Sequence, residues 1–186
     1  IPDMFKVGID YISLNKYKDA IKESDLITEI ANTNKNISHP FVLVKKNAFE
    51  QVKSEYRNEN FNDYTVALHK SVLDNADALL NTNVYPVMPY ALDEEDSILP
   101  ISREVINRMV ILGYAWQITG DEKYAQRGWE ELQNVCSYDD WCTLHFLATA
   151  EMALAVSVGY DWFYDYLNNE QKDILAKTTW DYAITP

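Results

Sequence analysis

The sequence predicts an all-α protein built from antiparallel helical hairpins in an inner and an outer layer. Two observations lead there. Apolar residues recur at spacings of three and four through most of the chain after Lys45. The pattern then alternates between segments apolar on nearly every face and segments with one apolar stripe. A helix apolar all round must be surrounded by protein, whereas a one-striped helix covers it from outside. A third observation is a repeat: Gly113-Tyr-Ala-Trp116 returns as Gly159-Tyr-Asp-Trp162, 46 positions on. The period is too long for tetratricopeptide or ankyrin units and suits a helical solenoid or an (α/α) toroid.

The elements follow in order. Residues 1–38 form a weakly patterned lead segment in which Tyr17, Ile21, Ile27 and Ile30 sketch one amphipathic helix. Residues 39–186 form the helical domain. His39-Pro40 opens a short apolar run to Val44. Phe49, Val52 and Tyr56 then mark a helix over 47–57, and Tyr64, Leu68, Val72, Ala76 and Leu79 mark one over 61–80. A loop over 81–100 holds three prolines and the acidic run Asp93-Glu-Glu-Asp96. Loops of that length in a compact domain usually do something. Ser102 is placed to cap a buried helix over 103–119, which Gly120 ends; Asp121 caps a one-striped helix over 122–136. The loop Ser137-Tyr-Asp-Asp-Trp141 leads to a second buried helix over 143–164. Asn168, with Gln171 three residues on, resembles a capping box and starts a second one-striped helix.

Composition excludes several classes. The 186 residues carry 16 Lys+Arg against 29 Asp+Glu, a formal charge of −13, so the basic footprint of a nucleic-acid or anionic-membrane binder is missing. No apolar run approaches the roughly 20 residues of a membrane span. Three histidines, His39, His69 and His145, lie too far apart in sequence to suggest a metal site, and no cofactor motif is present. The acidic run at 93–96 lacks the alternating oxygen ligands of a calcium loop. Cys136 and Cys142 suit either one disulfide or two free thiols. The first residue is Ile and the last residues break off after a helical pattern, which reads as a processed or truncated piece.

Four residues stand out as candidates for contact with a ligand. Trp141 offers a flat face for sugar stacking, or is ordinary packing. His145 is suited to proton transfer or to holding a carboxylate, or is a core histidine. Glu151, a carboxylate inside an apolar run, requires a partner: Arg103, Arg108 or a helix end. Arg103 orients Glu151 or meets substrate. His145 and Glu151, six apart, do not share a helix face. Asp140 and Asp161, the other candidate acids, lie near opposite ends of a helix roughly 30 Å long and cannot act on one bond.

Taken together, His39-Pro-Phe-Val-Leu-Val44, Leu99-Pro-Ile-Ser-Arg-Glu-Val105, Thr119-Gly-Asp-Glu-Lys-Tyr-Ala-Gln-Arg127, Asp140-Trp141, His145-Phe-Leu-Ala-Thr-Ala-Glu-Met-Ala-Leu-Ala155 and Gly159-Tyr-Asp-Trp-Phe-Tyr-Asp165 resemble the N-terminal helical domain of heparinase II/III-type polysaccharide lyases. The resemblance spans about residues 39–175. It implies an incomplete (α/α) toroid and a parent enzyme, periplasmic or secreted, that cleaves uronic-acid glycans of the heparin, heparan or alginate kind by β-elimination. It also implies that the catalytic residues follow Pro186, so this stretch alone is inactive and needs the rest of its own chain. Trp141, His145, Glu151 and Arg103 match motif positions as substrate-binding candidates. The alternatives are a toroidal glycoside hydrolase or a non-catalytic helical glycan-binding scaffold. One feature departs from a highly anionic substrate: between Arg127 and Lys172 there is no Lys or Arg, and from Asp121 onward twelve acids face four bases.

Overall fold

The computed structural model describes residues 38–185; the helix sketched around Tyr17 to Ile30 lies outside them. Six α-helices and a terminal π-helical turn make up the described residues, and no strand forms among them: α1 (Lys46–Arg57), α2 (Asp63–Leu79), α3 (Leu99–Thr119), α4 (Glu122–Val135), α5 (Phe146–Trp162), α6 (Asn169–Thr179) and the turn Trp180–Ile184. The all-α class therefore stands.

Local chemistry sets the helix ends. Asn62 caps α2 by accepting from the Thr65 N–H at 2.9 Å, and Asp121 caps α4 by accepting from Lys123 N–H. Gly120 ends α3 in the left-handed region, at φ 70°, where a Cβ would be strained. The α6 capping box is complete in both directions, each bond 2.9 Å long. Two boundaries differ from expectation. Helix α3 begins at Leu99, because Pro100 in the first turn has a preset φ and lacks only an N–H that would be unpaired there anyway. Ser102 is thus no cap: it is fully buried, and its hydroxyl reaches the carbonyls of Ile98 (3.2 Å) and Ala148 (3.0 Å). Helix α5 is shorter than read, since Thr143 to His145 form a turn before it and Phe163 closes it.

Helix α3 lies at the centre and touches α1, α2, α4 and α5; α5 in turn packs on α3, α4, α6 and the π-helical turn. Val105, Met109, Leu112 and Ala115 of α3 meet Ala148, Met152, Ala155 and Val156 of α5 in one core. The repeated glycines let these helices approach. A Cβ built on Gly113 would sit 2.8 Å from Cε3 and 3.2 Å from Cβ of Trp162; one on Gly159 would sit 2.8 Å from the Leu132 methyls and 3.0 Å from Met109 Sδ. Helix α4 buries the expected stripe of Tyr124, Gly128, Leu132 and Val135, whereas α6 buries only Leu175 and leaves Ile174 exposed. The expectation that α5 is enclosed on every side is corrected: Phe146, Leu147 and Leu154, with the preceding Leu144, face solvent, and no described helix covers them.

The first residues of the described unit are clamped to the end of α5. Buried Asp161 accepts from the backbone N–H of Phe41 and Val42, each at 2.7 Å, and bonds His39 Nδ1 at 2.5 Å. The His39 ring stacks on Tyr164 at 3.6 Å, and Lys172 Nζ lies 3.6 Å from the centroid of that same tyrosine ring. Asp161 is therefore a structural acceptor, and Trp162 adds a bond from its indole N–H to the Val42 carbonyl.

The two glycines predict unequal costs. Gly113→Ala meets the rigid base of an indole and should destabilise by about 1–3 kcal/mol. Gly159→Ala meets the mobile ends of Leu132 and Met109 and should cost less. Thermal unfolding of both variants checks this; equal or reversed losses would contradict the packing described.

Candidate functional site

The four residues singled out from sequence do not form one cleft. Trp141 is fully buried, its indole N–H donating to the Val135 carbonyl at 3.0 Å, with Tyr182 edge-on at 5.6 Å. Its own carbonyl accepts from Thr149. It locks the α4–α5 turn and presents no free face, so the reading of Trp141 as a sugar platform is corrected. His145 is exposed just before α5, beside Leu144 and Phe146. It is not among the residues that line the recess described below, and it is exposed. Glu151 pairs with Arg103, which bridges α5 to α3 with Nε 3.1 Å from Oε2. The pair is solvent-facing, with Arg103 60% and Glu151 21% exposed, so Glu151 is not the sealed carboxylate that its apolar neighbours suggested.

The sealed carboxylate is Glu131 instead. It is fully buried on α4 between Arg108 Nη1 (2.5 Å) and Arg127 Nη2 (2.7 Å), and accepts from the Met88 N–H at 3.1 Å. Both guanidiniums reach the long loop: Arg108 donates to the Pro86 carbonyl, and Arg127 to that of Tyr85 and to that of Leu79 at the end of α2. Burial works against the Arg108 charge, but the carboxylates of Glu104 and Glu131 outweigh it and raise its pKa.

This strap positions a recess of about 450 Å³ lined by Tyr90, Asn134, Ser137, Tyr138, Asp139 and Asp140. The Met88 carbonyl accepts from both Asn134 Nδ2 and the Tyr138 hydroxyl, each at 2.5 Å. Two residues on, Tyr90 meets Tyr138 edge to face at 5.2 Å and donates to Asp140 Oδ1 at 3.2 Å. The same oxygen accepts from the Cys142 N–H at 2.7 Å, which holds Cys142 at φ 60°. The sequence flagged the Asp139-Asp140 loop and the long loop separately. Nothing in a linear pattern joins Tyr90 to Tyr138, since the link is a backbone carbonyl.

Burial raises the pKa of Tyr138 to about 12, with the Glu131 charge adding to it. Burial first and Asp140 second raise that of Tyr90. Tyr114 is likewise raised by burial. These phenols stay protonated at neutral pH and are poor candidates for a general base. The cysteines are free, and burial lifts the Cys136 thiol to about 11. Among the described residues no group of three His, Cys, Asp or Glu is placed to hold a metal, and no helix is long and apolar enough to cross a membrane.

A second enclosed group is His69 on α2. It bonds the Tyr114 hydroxyl at 2.9 Å through Nδ1, packs against Tyr56 and Phe61, and leaves Nε2 buried without a partner. No protein-family model matches the chain, and no match to a curated protein was found.

Desolvation lowers the His69 pKa below its ordinary 6.5. Below pH 6.5 the unfolded chain therefore binds a proton that the folded chain resists, so stability falls on acidification and the loss ends once the folded pKa is passed. Relative to His69→Gln, the wild type should lose extra stability below pH 6.5, at no more than about 1.4 kcal/mol per pH unit. Urea unfolding from pH 7.5 to 5 measures it; parallel curves would contradict the burial of a neutral imidazole.

Proposed function

We propose that this chain is the helical, glycan-contacting part of a polysaccharide lyase that cleaves uronic-acid glycans by β-elimination, and that its hairpins belong to an incomplete (α/α) toroid. The observation that carries the reading is the pairing of the two repeated helices. α3 and α5 lie side by side, joined 46 residues apart from Ser102 to Ala148, while α4 buries one stripe. The uncovered apolar face of α5 supports it too, since a further inner helix of a toroid would pack there. The sequence resemblance supplies the reaction class.

β-Elimination needs a neutralised uronate carboxylate, a base for the C5 proton and an acid for the leaving oxygen. The phenols of Tyr90, Tyr114 and Tyr138, kept protonated by burial, suit positioning rather than proton abstraction. Under this proposal the base and acid belong to the chain beyond Pro186, the protein acts outside the cytoplasm, and Arg103, Glu151 and His145 shape the approach to them. The acidic recess favours a second reading, a toroidal glycoside hydrolase or a non-catalytic glycan-binding module, because a uronate gains nothing beside Asp139 and Asp140.

The full-length protein, offered heparan, chondroitin, hyaluronan and alginate, should release products with the ultraviolet absorbance of a C4–C5 double bond on at least one. New reducing ends without that absorbance would select the hydrolase, and binding without turnover the module.

A further inference from the structure

We propose that His69 latches the α1–α2 hairpin shut and that acid opens it: a proton taken up by the buried imidazole drives the end of α1 and the start of α2 away from α3, while the rest of the domain stays folded. The device does not depend on which glycan reaction the protein carries out.

A hydrogen-bond count shows why the cation does not fit. A charged imidazole has two N–H donors and needs two acceptors. The surroundings of His69 offer one. Nδ1 meets the Tyr114 hydroxyl at 2.9 Å, and Nε2 is buried without a partner. The hydroxyl can give or take a hydrogen bond, so the neutral ring can leave a bare nitrogen at Nε2. The cation places a charged N–H there in every case. The titratable groups that face the ring are phenols: Tyr56 of α1, with ring centroids 4.2 Å apart, and Tyr114 of α3. Phe61, from the loop between α1 and α2, is the third ring against it. On α2 itself, Lys70 and Asp74 are exposed and paired with each other. No carboxylate balances a charge on His69, and burial alone lowers its pKa. Aromatic faces attract a cation too weakly to reverse that direction.

The hairpin is fastened unevenly, which localises the response. His69 is the only buried residue in the first half of α2. Ala76 and Leu79 bury the second half, where Asp77 also accepts from the Tyr124 hydroxyl at 2.8 Å and the Leu79 carbonyl from Arg127 at 2.9 Å. Helix α1 buries Phe49 in its first turn, edge-on to Trp162 at 5.0 Å. It buries nothing at its other end, where Tyr56 is 46% exposed. The two helices therefore have firm outer ends and meet at a loop, 58–62, whose inward contact is the ring cluster on His69. Loss of that contact frees the loop and the adjoining turns without disturbing Phe49, Ala76 or Leu79. Once open, His69 stands in water and holds a proton below its ordinary pKa of about 6.5, which draws the equilibrium towards the open form. Acid thus uncovers an aromatic cluster and leaves the α3–α5 core intact.

The test is hydrogen exchange of the full 186-residue chain at pH 7.5 and 5.5, with each amide corrected for the pH dependence of an unstructured peptide. Imidazole nitrogen NMR is recorded on the same protein. Amides at 54–57 and 66–70 should exchange faster at pH 5.5 by up to about tenfold, the limit for one proton at an ordinary imidazole. Those at 109–115 and 152–158 should keep their protection, and the His69 ring should still be neutral at pH 6. His69→Gln, which cannot take up the proton, should show no acid-dependent gain at 54–70. Four results would overturn the proposal: unchanged wild-type exchange at 54–70, an equal loss of protection in α3 and α5, the same gain in His69→Gln, or a His69 ring already charged at pH 6 in the folded protein. Should His69→Gln not fold, the ring titration and the regional contrast in the wild type decide alone.

Discussion

A single buried carboxylate organises this domain. Glu131 has no contact with solvent, and two guanidiniums, themselves buried, share its charge. Desolvating three ions costs several kcal/mol each, which mutual attraction offsets only when geometry and hydrogen bonding are nearly complete. Here they are: Arg108 also holds Glu104 and the Pro86 carbonyl, and Arg127 holds the Leu79 and Tyr85 carbonyls. Nη1 of Arg127 is buried without a hydrogen bond, with a Glu130 carboxylate oxygen 3.7 Å away. The cluster therefore serves less as a source of net stability than as a specification of where the loop between α2 and α3 must lie.

That specification reaches the surface through Met88. Its N–H is bound to Glu131 and its carbonyl to Asn134 and Tyr138, so the backbone entering Tyr90 is fixed on both sides. The recess is thus the outward consequence of an inward charge arrangement. At the far end of α5 a second carboxylate, Asp161, gathers the N–H groups of Phe41 and Val42. Two buried acids, on α4 and α5, thereby fasten the α2–α3 loop and the segment that leads into α1 onto the helical core, where apolar burial alone would leave their polar backbone unpaired.

Much of the helical order was legible because period and caps are local. The 3.6-residue stripes, Gly120, Asp121 and the Asn168–Gln171 box act within a few residues, and each marks the boundary expected of it. Ser102 misled because Pro100 is as good a helix starter as serine is a cap. The candidate site was less legible. Trp141 reads alike as a platform or as a wedge, and only the position of Val135 decides. Arg127 and Glu131, four apart on α4, look in sequence like a solvent-facing ion pair, a spacing that carries no information on burial. Tyr90 and Tyr138 are joined through a carbonyl, which no side-chain pattern records.

Hydrogen exchange on wild type and Glu131→Gln tests the organising role of the buried carboxylate most directly. The substitution keeps shape and removes the charge that both arginines share. Amides of residues 84–90 should exchange at least about tenfold faster in the variant, while those of α5 from Ala155 to Trp162, held by the separate α3 contact, should keep their protection. Unchanged exchange at 84–90 in a folded variant would contradict the account, because the loop would then be held by something other than Glu131.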